Sequence, residues 1–523
     1  MKAPAAIFFE NKLRKIGDAQ GNTEKRIFQR PDITQKIQYG EIRKVHLTGV
    51  CGKAMSSLAG LFVEAGFVVS GSDVGCYPPA SDMIEELGIV FYEGYSEEHV
   101  KDKDLVIIAN MFGPDNAEAK YVRENNIPSM SMSEAIREFF IKDKESIVIT
   151  GTHGKTTTTG LAAHVFMAAK RNPGFVVGGV AVPTVNGITE TSFSAGPDKK
   201  GDTSQGQKGF FIIEGDEYDT AYFDKAPKFL HYKPTIAVVT SLEFDHADIY
   251  SDFNEYKKSF VFLAEEVSND GHLVLNGDSD EVTSLAPHTS AHVAYYGLKD
   301  INDFVAKDIT VTEEGQSFTV LYKGQDLGRY SICLFGAYNV MNALAVFAAS
   351  YLSGLSLDEI RAGLETFKGM KRRQEIIGKP KGVILIDDFA HHPTAVRETL
   401  QGIREHFPKN KLIAVFEPRS NTSRKKMFED DYAHAFQSAD ELYLSMPALR
   451  EMDNPADFID GTVIVETAIK VSKNKDFRAF CVRNCDEVLE QLVPTLKEGD
   501  VVVMMSNGSF DGIYEKILNK LSA

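Results

Sequence analysis

No stretch of this 523-residue chain holds the roughly 18 consecutive apolar residues that a membrane span needs. The opening MKAPAAIFFENKLRKIGDAQ has only a very short apolar run before its charges, too little for a secretory signal. Positive charge is also in deficit. Lys and Arg number 57 against 74 Asp and Glu, a formal charge of -17. That balance argues against duplex nucleic acid or an anionic membrane as partner, although a small anionic substrate needs only local cations. Cysteine is scarce. Cys51, Cys76, Cys333, Cys481 and Cys485 are few, odd in number and scattered, which argues against a disulfide framework and fits a reducing cytoplasm. Cys481 and Cys485 lack the further ligand types that a zinc site requires.

What remains is an ordinary soluble composition, 43 % apolar, long enough for about three domains. Residues 1–40 are polar and weakly patterned and read as an N-terminal extension. From Lys44 the order is strand (KVHLTGV), glycine turn and helix (MSSLAGLFVEAG). Two further apolar strands follow, FVVSGSD and LVIIAN. Strands alternating with helices predict a parallel α/β sheet over 41–142. A second unit over 143–371 begins with SIVIT running into GTHGKTTTT, and a third over 372–523 holds VILIDDFAHHP, KLIAVFEP and VVVMMSNGS. The short β-rich runs between His272 and Leu334 suggest an antiparallel portion. Residues 188–208, rich in Ser, Thr, Gly and charge, read as a long mobile surface loop.

Chemistry concentrates at the ends of these strands. Gly151-Thr152-His153-Gly154-Lys155-Thr156-Thr157 joins a buried strand to a helix. Its glycines let successive N–H groups face an anion at a helix N-terminus. Lys155 suits β- and γ-phosphate charge, and the Thr156 hydroxyl suits a magnesium ion. The spacing departs from the usual phosphate-loop pattern, since Ile149 stands five places before Gly154. An ordinary tight turn is the bland alternative. Glu214, Asp216, Glu217 and Asp219 crowd a second strand end, where carboxylates repel unless cations or donors are present. A solvated acidic loop competes with that reading. Glu243, Asp245 and His246 close another strand of the same unit, and parallel strands bring such ends to one edge. Asp387, Asp388, His391 and His392 end a strand of the third unit, with Arg372, Arg373 and Glu375 just upstream. There a side-chain-stabilised turn and a surface charge run are equally good readings. Gly49, Gly52, Ser72 and Asp73 make a glycine turn and an acidic strand end in the first unit, a pattern that suits UDP and NAD alike.

Taken in order, GTHGKTTTT, EGDEYD, EFDHADIY, GAYNVMNALA and DDFAHHPTA resemble the blocks of the Mur ligases, and the resemblance spans about residues 42–520. It implies a Rossmann-like N-terminal domain, a central phosphate-loop ATPase-type domain and a Rossmann-like C-terminal domain. It also implies ATP and Mg2+. Gly151, Thr152, Gly154, Lys155, Thr156 and Thr157 would hold the nucleotide phosphates, and Thr156, Glu217 and His246 the metal. Asn339 and Asn342 would lie near adenine, with Arg373, Asp388 and His391 completing the nucleotide site. Lys155, Glu217, His246, Arg373 and His391 would carry the catalysis. Gly49, Gly52, Ser72 and Asp73 would surround the UDP portion. Tyr77-Pro78-Pro79, Glu417-Pro418-Arg419-Ser420-Asn421-Thr422 and Met505-Ser506-Asn507-Gly508 resemble the branch that adds an intact murein tripeptide to UDP-N-acetylmuramate. Arg419, Ser420 and Asn421 would then face the peptide. The branch that adds free L-alanine to the same nucleotide is the alternative. An NAD-dependent oxidoreductase would leave the lysine loop and both acidic strand ends without a purpose, and a non-catalytic UDP-sugar sensor would not need Lys155, Glu217 and His246. The resemblance further implies a cytoplasmic monomer or weak homodimer. Tyr338 and Ser241 stand where the family often has His and Asn.

Overall fold

Unbroken Val, Ile and Leu runs are what a parallel strand covered on both faces requires, and each of three successive sheets is built on them. The computed structural model describes residues 41–184, 191–197, 209–245, 249–446 and 454–522. Residues 1–40, most of the 188–208 stretch and His246 lie outside these. In the first sheet, β1 (Lys44–Thr48), β2 (Val68–Asp73), β3 (Val90–Glu93), β4 (Leu105–Ile108) and β5 (Ser129–Ser131) are ordered β3-β2-β1-β4-β5. All four pairings are parallel. Helix Lys53–Glu64 buries Leu58, Leu61 and Phe62.

Among the described residues the middle sheet has ten strands. β6 (Glu145–Thr150) lies between β9 (Phe210–Glu214) and β12 (Ile236–Val239), in parallel with both. Beyond β9 come β7 (Gly174–Val176) and β8 (Phe193–Ser194), and a separate hairpin pairs β10 (Asp219–Ala221) with β11 (Asp224–Pro227). Beyond β12 come β13 (His272–Asn276) and β14 (His292–Gly297), both still parallel. The antiparallel portion expected from His272 onward therefore begins later. β15 (Phe304–Thr312) is itself parallel to β14, and only its pairing with β16 (Gly315–Tyr322), and that of β16 with β17 (Gln325–Ile332), is antiparallel. Short β-rich runs do not separate the two cases, because direction is set by the connections between them. Helix Ala337–Leu352 packs its buried Ala and Val face into the same core as β12 and β14.

The third sheet is ordered β18-β19-β23-β20-β21-β22. Its strands are β18 (Glu375–Gly378), β19 (Ile384–Asp388), β20 (Leu412–Phe416), β21 (Glu441–Ser445), β22 (Arg478–Val482) and β23 (Val501–Met505). Among the described residues only the edge strand β18 runs antiparallel. The three-unit α/β reading thus holds.

Two expectations are corrected. Residues 191–197 are not a surface loop: Phe193 is buried, and its ring fills the space above Gly60 in helix Lys53–Glu64, where a Cβ would sit 2.1 Å from it. The Ser57 and Ser192 hydroxyls meet at 2.9 Å beside this contact, so the segment ties the second unit to the first. Among the cysteines, Cys51 and Cys76 are disulfide-bonded with Cα atoms 5.5 Å apart. They are 25 residues apart in the chain. Parallel pairing of β1 with β2 brings the turn after one beside the loop after the other, and a count of cysteines does not register that.

Candidate active site

The order β12-β6-β9 puts three chemical strand ends side by side. β6 runs into the Gly151–Thr157 loop, β9 ends at Glu214, and β12 leads to Ser241 and Glu243. Gly151 and Gly154 have φ of 128° and 81°, values that L side chains rarely adopt. A Cβ on Gly154 would lie 2.6 Å from Asn342 Oδ1, and one on Gly151 would lie 2.3 Å from Thr240 Oγ1. Thr152 N–H donates to Ser241 O at 3.0 Å and His153 N–H to Ser241 Oγ at 2.8 Å. Ser241 therefore holds the loop from both its carbonyl and its hydroxyl, which gives that departure from the family pattern a structural role.

Lys155 begins helix Lys155–Ala168. Its Nζ donates to Gly151 O at 2.6 Å and to both Glu217 oxygens at 3.0 and 3.1 Å. Burial works against the ammonium charge, but the Glu217, Asp216 and Glu214 carboxylates outweigh it and hold Lys155 protonated. The Thr156 hydroxyl donates to Glu214 Oε1 at 3.1 Å, and Glu214 Oε2 accepts Gly178 N–H at 2.7 Å. The carboxylate beside Thr156 is therefore that of Glu214, whereas Glu217 sits with Lys155. Because β9 ends at Glu214 and the chain turns there, only the first acid of the EGDEYD block stays in register with the loop. Thr156 and Glu214 offer the hard oxygen donors that magnesium prefers, next to a phosphate-type loop, so the donor set fits that ion. His246 lies outside the described residues.

The third sheet completes the site from across the cleft. Arg373 stacks over the Phe389 ring at 4.5 Å and reaches Thr156 Oγ1 at 3.4 Å. Asp388 accepts Gln374 N–H at 2.8 Å and Ala390 N–H at 2.7 Å, which folds the Arg373 segment onto the end of β19. Burial raises the Asp388 carboxyl against the opposing pull of Arg373. His391 is pushed down by burial, and its Nδ1 lies 3.0 Å from Phe389 O. Asn339 donates to Phe335 O at 2.8 Å and Gln374 Oε1 at 3.1 Å, and Asn342 donates to Asn339 Oδ1 at 3.1 Å. The Asn342 amide thus occupies the space that a side chain at Gly154 would need. Burial pushes the Tyr338 hydroxyl well up.

In the first sheet, Gly49 N–H donates to Ser72 O at 2.8 Å. Asp73 accepts Cys51 N–H at 2.9 Å, Val74 N–H at 2.8 Å and the Tyr95 hydroxyl at 2.8 Å. Asp73 therefore braces the glycine turn. Ser72 is fully buried and gives its hydroxyl to Glu118 Oε2 at 2.7 Å, so its side chain faces the core rather than the cleft. Glu118 also accepts Thr48 Oγ1 at 2.7 Å and lies 2.9 Å from His99 Nδ1. Between the first two sheets, a cleft is lined by Gly49, Gly52, Lys53, Asn110, Thr220 and Lys228. Sequence reasoning missed the two lysines. Lys53 directly follows the glycine turn, a position that lends itself to an anion. Its burial, with Arg373 nearby, lowers its pKa. Lys228 pairs with Asp216 at 2.7 Å. At the far edge, Arg419 lies 3.7 Å from Glu417 and is half-exposed, Ser420 Oγ accepts Ser423 N–H at 2.9 Å, and Asn421 is exposed.

Comparison with known proteins matches three family domains in this order. They are the Mur ligase family catalytic domain over 44–143, the Mur ligase middle domain over 149–350, and the Mur ligase glutamate ligase domain over 372–508. The UDP-N-acetylmuramate–L-alanyl-γ-D-glutamyl-meso-2,6-diaminoheptandioate ligase of Escherichia coli (strain K12) is 34 % identical over 484 residues, 92 % of this chain and 98 % of its own length. The chain belongs to the Mur ligase family. It is thus an ATP-dependent ligase that forms amide bonds. A UDP-N-acetylmuramate–L-alanine ligase of Clostridium acetobutylicum (strain ATCC 824) is 31 % identical over 483 residues, 91 % of this chain and 98 % of its own length. The crystal structure of a murein peptide ligase from Psychrobacter arcticus 273-4 superposes with a TM-score of 0.67 at 31 % identity, over 92 % of this chain and 99 % of that one. Among the described residues no helix is long and apolar enough to cross a membrane.

Proposed function

We propose that this Mur ligase joins L-alanyl-γ-D-glutamyl-meso-diaminopimelate to UDP-N-acetylmuramate with ATP and Mg2+, in the cytoplasm and in peptidoglycan recycling. It acts as a monomer or weak homodimer, with no nucleic-acid or membrane partner. The observation that carries the reading is the phosphate loop of β6, flanked by Glu214 and Glu217 and faced by Arg373, in a chain 34 % identical to a ligase named for that substrate pair. A carboxylate is a poor electrophile, so activation comes first. The lactyl carboxylate takes the γ-phosphoryl group of ATP and ADP leaves. The peptide's neutral amine then attacks the acyl carbon, gives up one proton to the departing inorganic phosphate or to water, and an amide remains. In this reading Lys155 and Arg373 bear on the transferring phosphoryl from two sides, an electrostatic and positioning role. For Lys155 this requires exchanging Glu217 for phosphate, which frees the Glu217 carboxylate toward a cation. Thr156, Glu214, Glu217 and His246 are the groups that would hold magnesium, and the bound ion would add positive charge beside the phosphate oxygens. Contacts between the middle and third sheets, Arg373 to Thr156 and Thr394 to Glu243, bring the third sheet against the phosphate loop, the kind of approach that limits hydrolysis of an activated acid. Asn339 and Asn342 shape the adenine side, and Asp388 and His391 order the Arg373 segment.

Gly49, Gly52, Lys53 and the Asp73-braced turn take the UDP portion. The Cys51 N–H to Asp73 bond that braces the turn does not involve the disulfide sulfurs. Arg419, with Ser420 and Asn421, meets the peptide's carboxylates, because a guanidinium matches a carboxylate bidentately. The second reading, addition of free L-alanine, has the weaker support, since the ligase of that name is 31 % identical against 34 % for the one named for the tripeptide. An acceptor panel read by product mass, with kcat/KM for tripeptide and for L-alanine, separates them. Preference for the tripeptide supports the proposal, and preference for L-alanine replaces it with the second reading.

A further inference from the structure

His153, Glu243 and His392 converge where the middle and third sheets face each other, and the reaction just described gives none of them a part in its chemistry beyond the Thr394 to Glu243 contact. His153 comes from the phosphate loop, Glu243 from the segment after β12, and His392 caps helix Pro393–His406. His153 Nε2 lies 3.3 Å from Glu243 Oε2, and His392 Nδ1 lies 3.8 Å from the same oxygen. One ligand atom from each residue lies within 4.8 Å of the other two. The imidazole centroids are 4.8 Å apart with planes inclined at 44°, so the rings converge without stacking. Four donors at zinc bond lengths stand about 3.3 Å from one another in a tetrahedron. The present separations, 3.3 and 3.8 Å from the Glu243 oxygen and within 4.8 Å between any two, are at or somewhat above that spacing.

The surroundings suit a metal as well. The Thr394 hydroxyl donates to Glu243 Oε2 at 2.8 Å and fixes the carboxylate, the kind of outer contact that orients ligands in metal sites. Burial, and after it the nearby His153, push His392 down to about 4, so its ring is neutral and able to donate at neutral pH. Burial raises the Glu243 carboxyl, but His153 and Thr394 outweigh it and leave it ionised, at about 2. Coordination through His392 Nδ1 replaces only a long 3.3 Å bond from Thr394 N–H. Glu243 is partly exposed, which leaves a path for entry and a fourth position for water.

We propose that His153, Glu243 and His392 form a binding site for a zinc-class divalent cation that ties the third sheet to the phosphate loop. Two imidazoles and one carboxylate select a borderline-soft ion over magnesium, which prefers oxygen ligands. Such an ion would hold the two units together independently of nucleotide and of which acceptor the enzyme uses. The test takes the full-length protein, stripped of metal and kept in excess magnesium to fill oxygen-lined sites. Zinc is titrated against a chromophoric chelator. One tight equivalent is expected, weakened about tenfold or more in His392→Ala and in Glu243→Gln, since even an outer-contact change costs about 10–100-fold. Cobalt(II) added to the unmutated protein provides a second measurement that needs no variant. A four-coordinate site of nitrogen and oxygen donors gives strong visible bands without the near-ultraviolet charge transfer of a cobalt–thiolate bond. Absence of a tight equivalent, unchanged zinc affinity in both variants, or a thiolate band would each overturn the proposal.

Discussion

Replacing Lys155 with Ala tests the buried pair at the centre of the site. The Lys155 side chain is 15 % exposed and that of Glu217 is 0 % exposed, with 3.0 Å between Nζ and Oε1. Removing one partner of a buried pair costs about 3–5 kcal/mol, because the remaining charge stays out of water. The Tyr256 hydroxyl, 3.3 Å from Glu217 Oε1, continues to donate and favours the lower end of that range. A domain of this size shifts about 2–4 °C per kcal/mol, so the middle unit should melt roughly 6–12 °C lower. Adding Glu217→Gln removes the carboxylate charge that faced the deleted ammonium and should restore much of that loss. Neither protein should ligate, since the cation facing phosphate is gone in both, yet both should bind UDP-N-acetylmuramate through the first sheet. Calorimetry gives the melting temperatures, ADP release gives turnover, and titration calorimetry gives nucleotide-sugar binding. A single variant that melts with the unmutated protein, or a double variant no more stable than the single one, would refute the pair's role. Wild-type turnover in either would refute the phosphate-loop role.

Four further outcomes are expected. Gly154→Ala should weaken ATP binding with little effect on UDP-N-acetylmuramate, because its Cβ meets Asn342 Oδ1 at 2.6 Å at a φ of 81°; equal ATP affinity by titration calorimetry would count against it. Glu214→Gln should raise the magnesium concentration needed for half-maximal ADP release, whereas an unchanged magnesium curve would move the cation away from Thr156. Arg419→Ala should lower kcat/KM for the tripeptide roughly tenfold to a hundredfold, the effect of one charge-assisted bond, while the KM for ATP stays constant. Burial pushes the Asp387 carboxyl up to about 6 against the pull of Arg372, and its Oδ1 has no hydrogen-bond partner among the described residues. The folded state therefore binds the proton more tightly than the unfolded chain. Stability should fall as pH rises from about 4 through about 6 and then level off, and Asp387→Asn should flatten that stretch of the melting curve.

Much of this protein is local in sequence, and those parts were legible. An apolar run entering a glycine loop and then a helix is one continuous segment, so β6, Gly151, Gly154 and Lys155 needed no tertiary contact to be read. The same holds for the acidic and histidine ends of β9, β12 and β19, and the rule that parallel strands end on one edge grouped them. Tertiary structure decided whatever depends on register or on two segments meeting. Glu214 and Glu217 are three residues apart and equally acidic. Only the pairing of Ile149 with Glu214 decides that the first faces Thr156 and the second faces Lys155. Ser72 and Asp73 ended their strand as expected, but the turn after β1 drew the Asp73 oxygens inward, and Glu118, 46 residues on, took the Ser72 hydroxyl. Phe193 lay in a polar stretch and became a core residue because Gly60 leaves room for its ring. Cys51 with Cys76, and His153 with Glu243 and His392, come from separate segments, and strand order alone makes them neighbours. Composition and periodicity report how each segment contacts solvent. Which segment stands beside which depends on crossover connections and sheet order, and no single stretch of sequence encodes those.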